Sequence, residues 1–268
     1  MNKINIGFIG AGNMGAAIMK GIAGSPAAAR IQLYAYDPDK TKTAALSEHG
    51  VIEAADEASL TAKCSYIFLA VKPQIIETAL EAAAQSADSR KIFVSIAAGI
   101  TAEFIASKTV PDAKVILVMP NTPLLLGEGA TALSRNDRVT DEEFNVILDI
   151  FNICGKAAVI PINKMKEIIA VNGSSPAFIY LFAKGFIEFA ENSGIEADAA
   201  MKLFSQSLIG SAKMITDSGY TIDELIKMVS SPGGTTLAGL DRLYEGKLTD
   251  TVKNACESCT KRAYELSK

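Results

Sequence analysis

The chain predicts an α/β fold in two parts. A doubly wound, largely parallel sheet is expected over residues 1–161, and an all-helical domain over residues 162–268. Three observations carry this reading. Short apolar runs alternate with helical stretches as far as Pro161. The first run leads straight into a glycine-rich turn and a helix. Beyond Pro161 only helical patterns follow.

The first strand is Ile4 to Ile9, broken only by Asn5 and Gly7, and the amphipathic stretch Ala16 to Ala23 follows it. Further strands are expected at Ile31–Tyr36, Tyr66–Val71, Ile92–Ile96, Val115–Met119, Ala130–Leu133 and Ala157–Ile160, with helices between most of them. The second half predicts helices at Lys164–Val171, Ala177–Asn192, Ala197–Thr216, Ile222–Val229, Leu237–Glu245 and Leu248–Leu266. Breaks fall at Gly173-Ser174-Ser175-Pro176, Ser193-Gly194 and Asp217-Ser218-Gly219. Several of these helices are apolar over more than one stripe, as in Phe178 to Phe182 with Phe186, Ile187 and Phe189. Such helices bury more than one face. A domain of this size cannot cover them all, so an obligate homodimer through the helical half is expected.

Composition narrows the class. Hydrophobic residues make up 49% and charged residues 21% of the 268, which is globular. Net charge is −4, and no Lys/Arg cluster is dense enough for nucleic acid or an anionic membrane. No apolar run approaches the roughly 18 residues of a membrane span. The first residues already read as a strand, so no targeting peptide is expected. Cys64, Cys154, Cys256 and Cys259 lack the second pair that would complete a metal site around Cys256-x-x-Cys259. Reduced thiols, a cytoplasmic location and no metal are the expectation.

The turn Gly10-Ala11-Gly12-Asn13-Met14-Gly15 is G-x-G-x-x-G between a strand and a helix, the Rossmann-type dinucleotide fingerprint. Gly10 permits the tight turn, Gly12 lets a pyrophosphate approach the backbone, and Gly15 allows close helix–strand packing. Asp37 ends the second strand, where a carboxylate can accept from an adenosine ribose and repel a 2′-phosphate. This leans the cofactor toward NADH, while Lys40 and Lys42 lie just beyond and could offset the repulsion. Lys72 sits at the tip of Phe68-Leu69-Ala70-Val71-Lys72-Pro73, as a cation near the nicotinamide or the substrate. Ser95-Ile96-Ala97-Ala98-Gly99 offers small residues suited to a flat ring, and Met119-Pro120-Asn121-Thr122-Pro123 ends a third strand.

The segment Ser230-Ser231-Pro232-Gly233-Gly234-Thr235-Thr236 lies between two helices. Pro232 is expected to end the first helix, and Thr235 and Thr236 to cap the second. Hydroxyls and unpaired N–H groups at one helix N-terminus form a seat for a carboxylate. The only histidine, His49, falls at a helix end beside Gly50, away from every strand-end loop. That excludes a histidine general acid of the hydroxyacid dehydrogenase kind. Hydride delivery to an imine needs little acid–base help and fits what remains.

In order, GFIGAGNMG, FLAVKPQ, SIAAGIT, VMPNTP, GSSPAF, GSAKM and VSSPGGTT resemble the pyrroline-5-carboxylate reductase family over nearly the whole chain. The resemblance implies reduction of 1-pyrroline-5-carboxylate to proline by NADH or NADPH. It also implies a homodimer interlocked through a dimerisation and substrate domain, sometimes built into larger rings. Ile9, Gly10, Ala11, Gly12, Asn13 and Met14 would bind the pyrophosphate, and Asp37 would sit at the ribose. Ala70, Val71, Lys72 and Pro73, with Ile96, Ala97 and Ala98, would contact the cofactor near its reactive end. Ser231, Gly234, Thr235 and Thr236 would hold the substrate, Thr236 at the ring nitrogen.

The chain departs from the family pattern in three places: Tyr220 to Leu225 for a His-Pro-Gly segment, with Lys227 for a frequent aspartate; Asn172 to Phe178 for SGSGPAY; and Asp37 itself. Two alternatives stay open on the residues. A β-hydroxyacid dehydrogenase shares the first motif and would need a catalytic lysine, for which Lys164 and Lys166 are candidates. A nucleotide sensor without turnover would share the glycine turn and leave the intact substrate loop unexplained.

Overall fold

The computed structural model describes residues 3–266. Its first half is one eight-stranded sheet: β1 Ile4–Ile9, β2 Ile31–Tyr36, β3 Ile52–Glu53, β4 Tyr66–Leu69, β5 Ile92–Ser95, β6 Lys114–Met119, β7 Gly129–Arg135 and β8 Gly155–Val159. The strand order is β3-β2-β1-β4-β5-β6-β7-β8. β1 lies between β2 and β4, so the chain winds away from it in both directions. All neighbours are parallel except β6 and β7. Only residues 120–128 join those two, too few for the crossover that a parallel pair needs. The two-residue β3 has no sequence signature, because both its residues are exposed.

Helices α1 Asn13–Ala23, α2 Lys40–Ala44, α3 Glu57–Lys63, α4 Ile76–Ala84, α5 Ala102–Lys108 and α6 Asp141–Ile153 connect the strands. Each begins at a suitable residue where the loop allows it. Asp56, Thr101 and Thr140 accept from backbone N–H groups at the starts of α3, α5 and α6. Successive strand residues point to opposite faces, and both faces are covered. Ile6, Phe8, Phe68, Val94, Ile116 and Val118 pack beneath α1 and α6. Ile9, Ile67, Leu69, Phe93, Val115 and Leu117 pack beneath α3, α4 and α5. Phe8 and Phe68 stack across β1 and β4 with centroids 4.3 Å apart.

The second half is helical: α7 Ser175–Asn192, α8 Ala197–Asp217, α9 Ile222–Met228, α10 Thr235–Glu245 and α11 Leu248–Leu266. The helix expected over Lys164–Val171 is replaced by a 3₁₀ turn at Ile162–Lys164 and a π-turn at Ile169–Gly173. The added residue in that turn goes with Asn172, whose buried side-chain amide donates to the carbonyls of Met119 (2.7 Å) and Ala130 (2.9 Å). A regular helix would rotate that amide away from the strand ends.

The chain forms two compact units. One runs to Pro176 and takes in the chain from Ser258 onward, and the other is Ala177–Glu257. The second unit has almost no interior. Ala190 is its only buried apolar residue, while Leu181, Phe189 and Leu203 are 71, 69 and 69% exposed. Its best internal packing is a ring cluster of Phe182, Phe186 and Phe204, with Phe186 and Phe204 stacked at 4.4 Å.

The Phe8–Phe68 stack should dominate the stability of the first unit. Phe68→Ala removes a fully buried ring at the sheet centre, and a loss of about 3–5 kcal/mol is expected. Urea unfolding of the variant measures it. An unchanged midpoint would show that this stack is not a main support.

Candidate active site

The turn after β1 is the most tightly held backbone at the sheet's C-terminal edge. Gly10 has φ +103°, and a Cβ there would lie 2.5 Å from the Ala70 carbonyl oxygen, so no other residue fits. A Cβ on Gly15 would lie 2.7 Å from the Gly10 carbonyl oxygen, which is how α1 comes so close to β1. Gly12 differs, because a Cβ there meets nothing within 4 Å. Gly12 is also the N-cap of α1 and offers no capping side chain. The first N–H groups of α1 therefore have no helical partner and border open space, as an anion requires.

Neighbouring strand ends lock this turn. The Gly10 N–H donates to Tyr36 (2.8 Å) and the Ala70 N–H to Ile9 (2.9 Å). Asp37 is buried. Its Oδ2 accepts from the Ala11 N–H at 2.9 Å, and its Oδ1 from the Asp39 N–H at 3.0 Å and Lys42 Nζ at 3.2 Å. Asp37 thus organises the turn as well as ending β2. The pairing with Lys42 has a signal in the sequence only as spacing, since Lys40 stands equally near. Lys40 turns instead to Glu53 Oε1 (3.1 Å) and lies 4.9 Å over the Tyr36 ring.

The other strand-end loops converge on the same edge. Ala70 and Val71 are half-buried and Lys72 is exposed, and Lys72 forms no ion pair among the described residues. Ile96, Ala97 and Ala98 follow β5, with the Ala97 N–H donating to the Ser95 hydroxyl at 3.3 Å. A mostly apolar cavity of about 320 Å³ opens between Ala97, Thr101 and Met119, with Lys166 and Tyr264 on its rim. Behind Met119, Asn121 donates to the Asn172 carbonyl (3.2 Å) and accepts from the Ala130 N–H (2.9 Å). This pair of asparagines holds the end of β6 in place. Its trace in the sequence is a polar residue after each of two apolar runs, Val115–Met119 and Ile168–Val171.

In the second unit α9 starts with a reciprocal cap between Thr221 and Glu224. The helix stops at Met228, before Pro232 is reached, and the Ser230 hydroxyl donates to the Ile226 carbonyl at 2.6 Å just beyond. The turn then passes through Gly233, with φ +70°. The N-cap of α10 is Gly234; Thr235 and Thr236 are its first two residues and not its caps. Gly234 has the extended backbone of an N-cap, and a Cβ there would lie 2.6 Å from Ser231 Oγ. With a bare Gly234, the Ser231 side chain sits over the helix start. The Gly234 N–H is taken by the Ser231 carbonyl (3.0 Å), which leaves those of Thr235, Thr236 and Leu237 without helical partners. The hydroxyls of Ser231, Thr235 and Thr236 are exposed beside them.

The other candidates have local partners. His49 precedes Gly50 at a short 3₁₀ turn, beside Glu48 at 3.6 Å. Lys164 pairs with Glu167 at 3.1 Å, and Lys166 lies 4.5 Å over the Tyr264 ring. Burial pushes the Cys64 thiol up to about 12 and the Cys154 thiol up to about 11, so neither supplies a thiolate. Among the described residues no cluster of His, Cys, Asp and Glu could hold a metal ion, and no helix is long and apolar enough to cross a membrane.

A locked glycine turn at the point where a 3-2-1-4-5-6 sheet reverses direction is the site of a dinucleotide. With the helical second unit, it defines a nicotinamide-dependent oxidoreductase. Residues 5–99 match the family model "NADP oxidoreductase coenzyme F420-dependent", and residues 163–266 match "Pyrroline-5-carboxylate reductase dimerisation". Pyrroline-5-carboxylate reductase of Escherichia coli K12 is 38% identical over 98% of both chains. The crystal structure of Plasmodium falciparum pyrroline carboxylate reductase with NADP bound superposes with a TM-score of 0.88 at 31% identity, over all of both chains. A Coxiella burnetii pyrroline-5-carboxylate reductase gives 0.91 at 30% identity, again over all of both. The chain belongs to the pyrroline-5-carboxylate reductase family.

The two glycines of the turn should separate fold from ligand binding. The Cβ of Gly12→Val meets no neighbour within 4 Å, so the melting temperature of the free chain should fall less than in Gly10→Val, while the rise produced by NADPH disappears. Gly10→Val should lower the melting temperature of the free chain itself, because the Ala70 carbonyl must move. Thermal melts with and without NADPH test both. A Gly12→Val chain still stabilised by NADPH would overturn the reading of the open side.

Proposed function

We propose that this protein reduces 1-pyrroline-5-carboxylate to proline with a nicotinamide cofactor. The loop Ser231–Thr236 carries the reading, because it presents an exposed serine, two threonines and three unpaired N–H groups at one helix start. Residues 1–161 serve the dinucleotide, and 162–268 serve dimerisation and the substrate. Ile9 to Gly15 hold the pyrophosphate, with the open side of Gly12 supplying the space. Ala70, Val71, Lys72 and Pro73, with Ile96, Ala97 and Ala98, line the nicotinamide end, and Lys72 adds a cation for that end or for the substrate. The cofactor, when bound, supplies the hydride.

Ser231 and the N–H groups of Thr235 and Thr236 hold the substrate carboxylate by charge-assisted hydrogen bonds. Gly234 contributes shape, since it lets Ser231 reach over the helix start. Thr236 orients the ring nitrogen, which solvent can protonate before the hydride arrives. A protonated imine is already electrophilic, so the site needs no histidine and no metal.

The cofactor leans to NADH. Asp37 Oδ2 accepts one backbone N–H and retains one acceptor position for a ribose hydroxyl. A second copy of the chain covers the exposed apolar side chains of α7 and α8, giving a homodimer through the helical domain, with larger assemblies of dimers open to it. Four free cysteines support a cytoplasmic location.

Oxidation of NADH or NADPH with pyrroline-5-carboxylate, and not with a 3-hydroxyacid in reverse, tests the activity. Ser231→Ala should raise KM by the equivalent of about 1.5–3 kcal/mol, the value of a hydrogen bond to a charged group. Thr236→Ala should instead lower kcat, by roughly tenfold to a thousandfold, below or within the usual acid–base contribution. An unchanged KM in the first, or wild-type kcat in the second, removes that residue from its role.

The dimer has its own test. Phe189→Asp places a charge on the most exposed ring of α7. It should cost solubility and activity together, because the partner would bury an unpaired carboxylate. A fully active monomer in sedimentation at low micromolar concentration would refute the dimer.

A further inference from the structure

The cavity beside Met119 is not used by the reaction proposed above. It holds about 320 Å³, roughly the volume of ten water molecules, which is too little for a nucleotide and enough for a small metabolite. Among the described residues that line it, only Ala97 also belongs to the groups assigned to the cofactor, and none comes from the glycine turn or from Ser231–Thr236. Two charged side chains line it, one of each sign. Lys166 and Glu103 form no ion pair among the described residues, either with each other or with a third group. Lys166 is nevertheless held in place. Its ammonium lies 4.5 Å over the Tyr264 ring, the Tyr264 hydroxyl donates to Glu167 Oε1 at 3.2 Å, and Lys164 Nζ meets the same oxygen at 3.1 Å. A ring contact takes one side of an ammonium and leaves N–H donors to spare. The lining residue Ser95 is 2% exposed; its hydroxyl accepts from the Ala97 N–H at 3.3 Å, and its own proton has no acceptor among the described residues.

We propose that this cavity binds a free α-amino acid with an apolar side chain. A simple anion would be drawn to Lys166 and repelled by Glu103, and a simple cation would meet the reverse. A zwitterion satisfies both. Lys166 and Ser95 have protons to give and suit a carboxylate, while the Glu103 carboxylate can only accept and suits an ammonium. The apolar walls, with Leu117, Met119 and Met165 among them, take the side chain. A few placed polar groups around an apolar space of this size are what a small-molecule site consists of.

Titration calorimetry of the full chain with L-leucine, L-leucinamide and isocaproate, with and without NADPH, tests the proposal. Leucine carries both charges, leucinamide lacks the carboxylate, and isocaproate lacks the amine. Leucine should bind about tenfold or more tighter than leucinamide, the value of one charge-assisted contact. It should bind about threefold or more tighter than isocaproate, because Glu103 is exposed and its contact is weaker. Lys166→Met should weaken leucine and isocaproate and should not weaken leucinamide. Glu103→Gln should weaken leucine and leucinamide and should not weaken isocaproate. NADPH and Ser231→Ala should both leave leucine binding in place. Equal affinities for the three compounds would overturn the proposal, as would the absence of any binding heat at about 10 mM leucine. Leucine that NADPH displaces, or that Ser231→Ala weakens, would lie in the site already described, and the proposal would fall on that result too.

Discussion

The turn from β1 into α1 leaves the structure its least freedom. Gly10 is pressed against the Ala70 carbonyl, and α1 is pressed against Gly10 through Gly15. The strands on either side then close on it, β2 through Tyr36 and Asp37 and β4 through Ala70. Three loops that are far apart in sequence become one rigid edge. Space is left only on the side of Gly12, where backbone N–H groups are unpaired. The geometry of this edge follows from packing.

The helical unit obeys the opposite rule. Its residues are strong helix formers with apolar stripes, yet among residues 177–257 only Ala190 is a buried apolar residue. The stability of such a unit must come from surface outside itself, because helix propensity alone is marginal. A second copy of the chain supplies that surface in the homodimer proposed for this family member. The loop Ser231–Thr236 belongs to this unit. In the proposed function, burial of the apolar stripes and placement of the substrate groups are therefore one requirement.

Polar residues inside the first unit act on backbone more than on one another. Asp37 holds Ala11 and Asp39, Asn121 holds Ala130, and Asn172 holds Met119 and Ala130. In each case a side chain satisfies N–H or C=O groups at a strand end, where the ladder has run out of partners. These residues set the shape of the sheet's C-terminal edge. A buried carboxylate or amide left without such partners would cost more than its removal.

Local patterns were enough for the sheet, the glycine turn and the order of the motifs. Strands with both faces buried show as continuous apolar runs, and G-x-G-x-x-G shows as spacing. The family was legible because the residues of its motifs, the loop Ser231–Thr236 among them, are contiguous. What stayed hidden depended on partners distant in the chain. β3 is too short and too exposed to leave a pattern. The π-turn at Ile169–Gly173 is set by carbonyls of β6 and β7 some forty to fifty residues away. Gly234, and not a threonine, is the N-cap of α10, with its N–H taken by the Ser231 carbonyl. Which of two lysines meets Asp37 was decided by Glu53 and Tyr36, which capture Lys40. Sequence determines what a segment prefers by itself; tertiary structure decides which competing partner each polar group obtains, because that depends on distances the chain acquires only when folded.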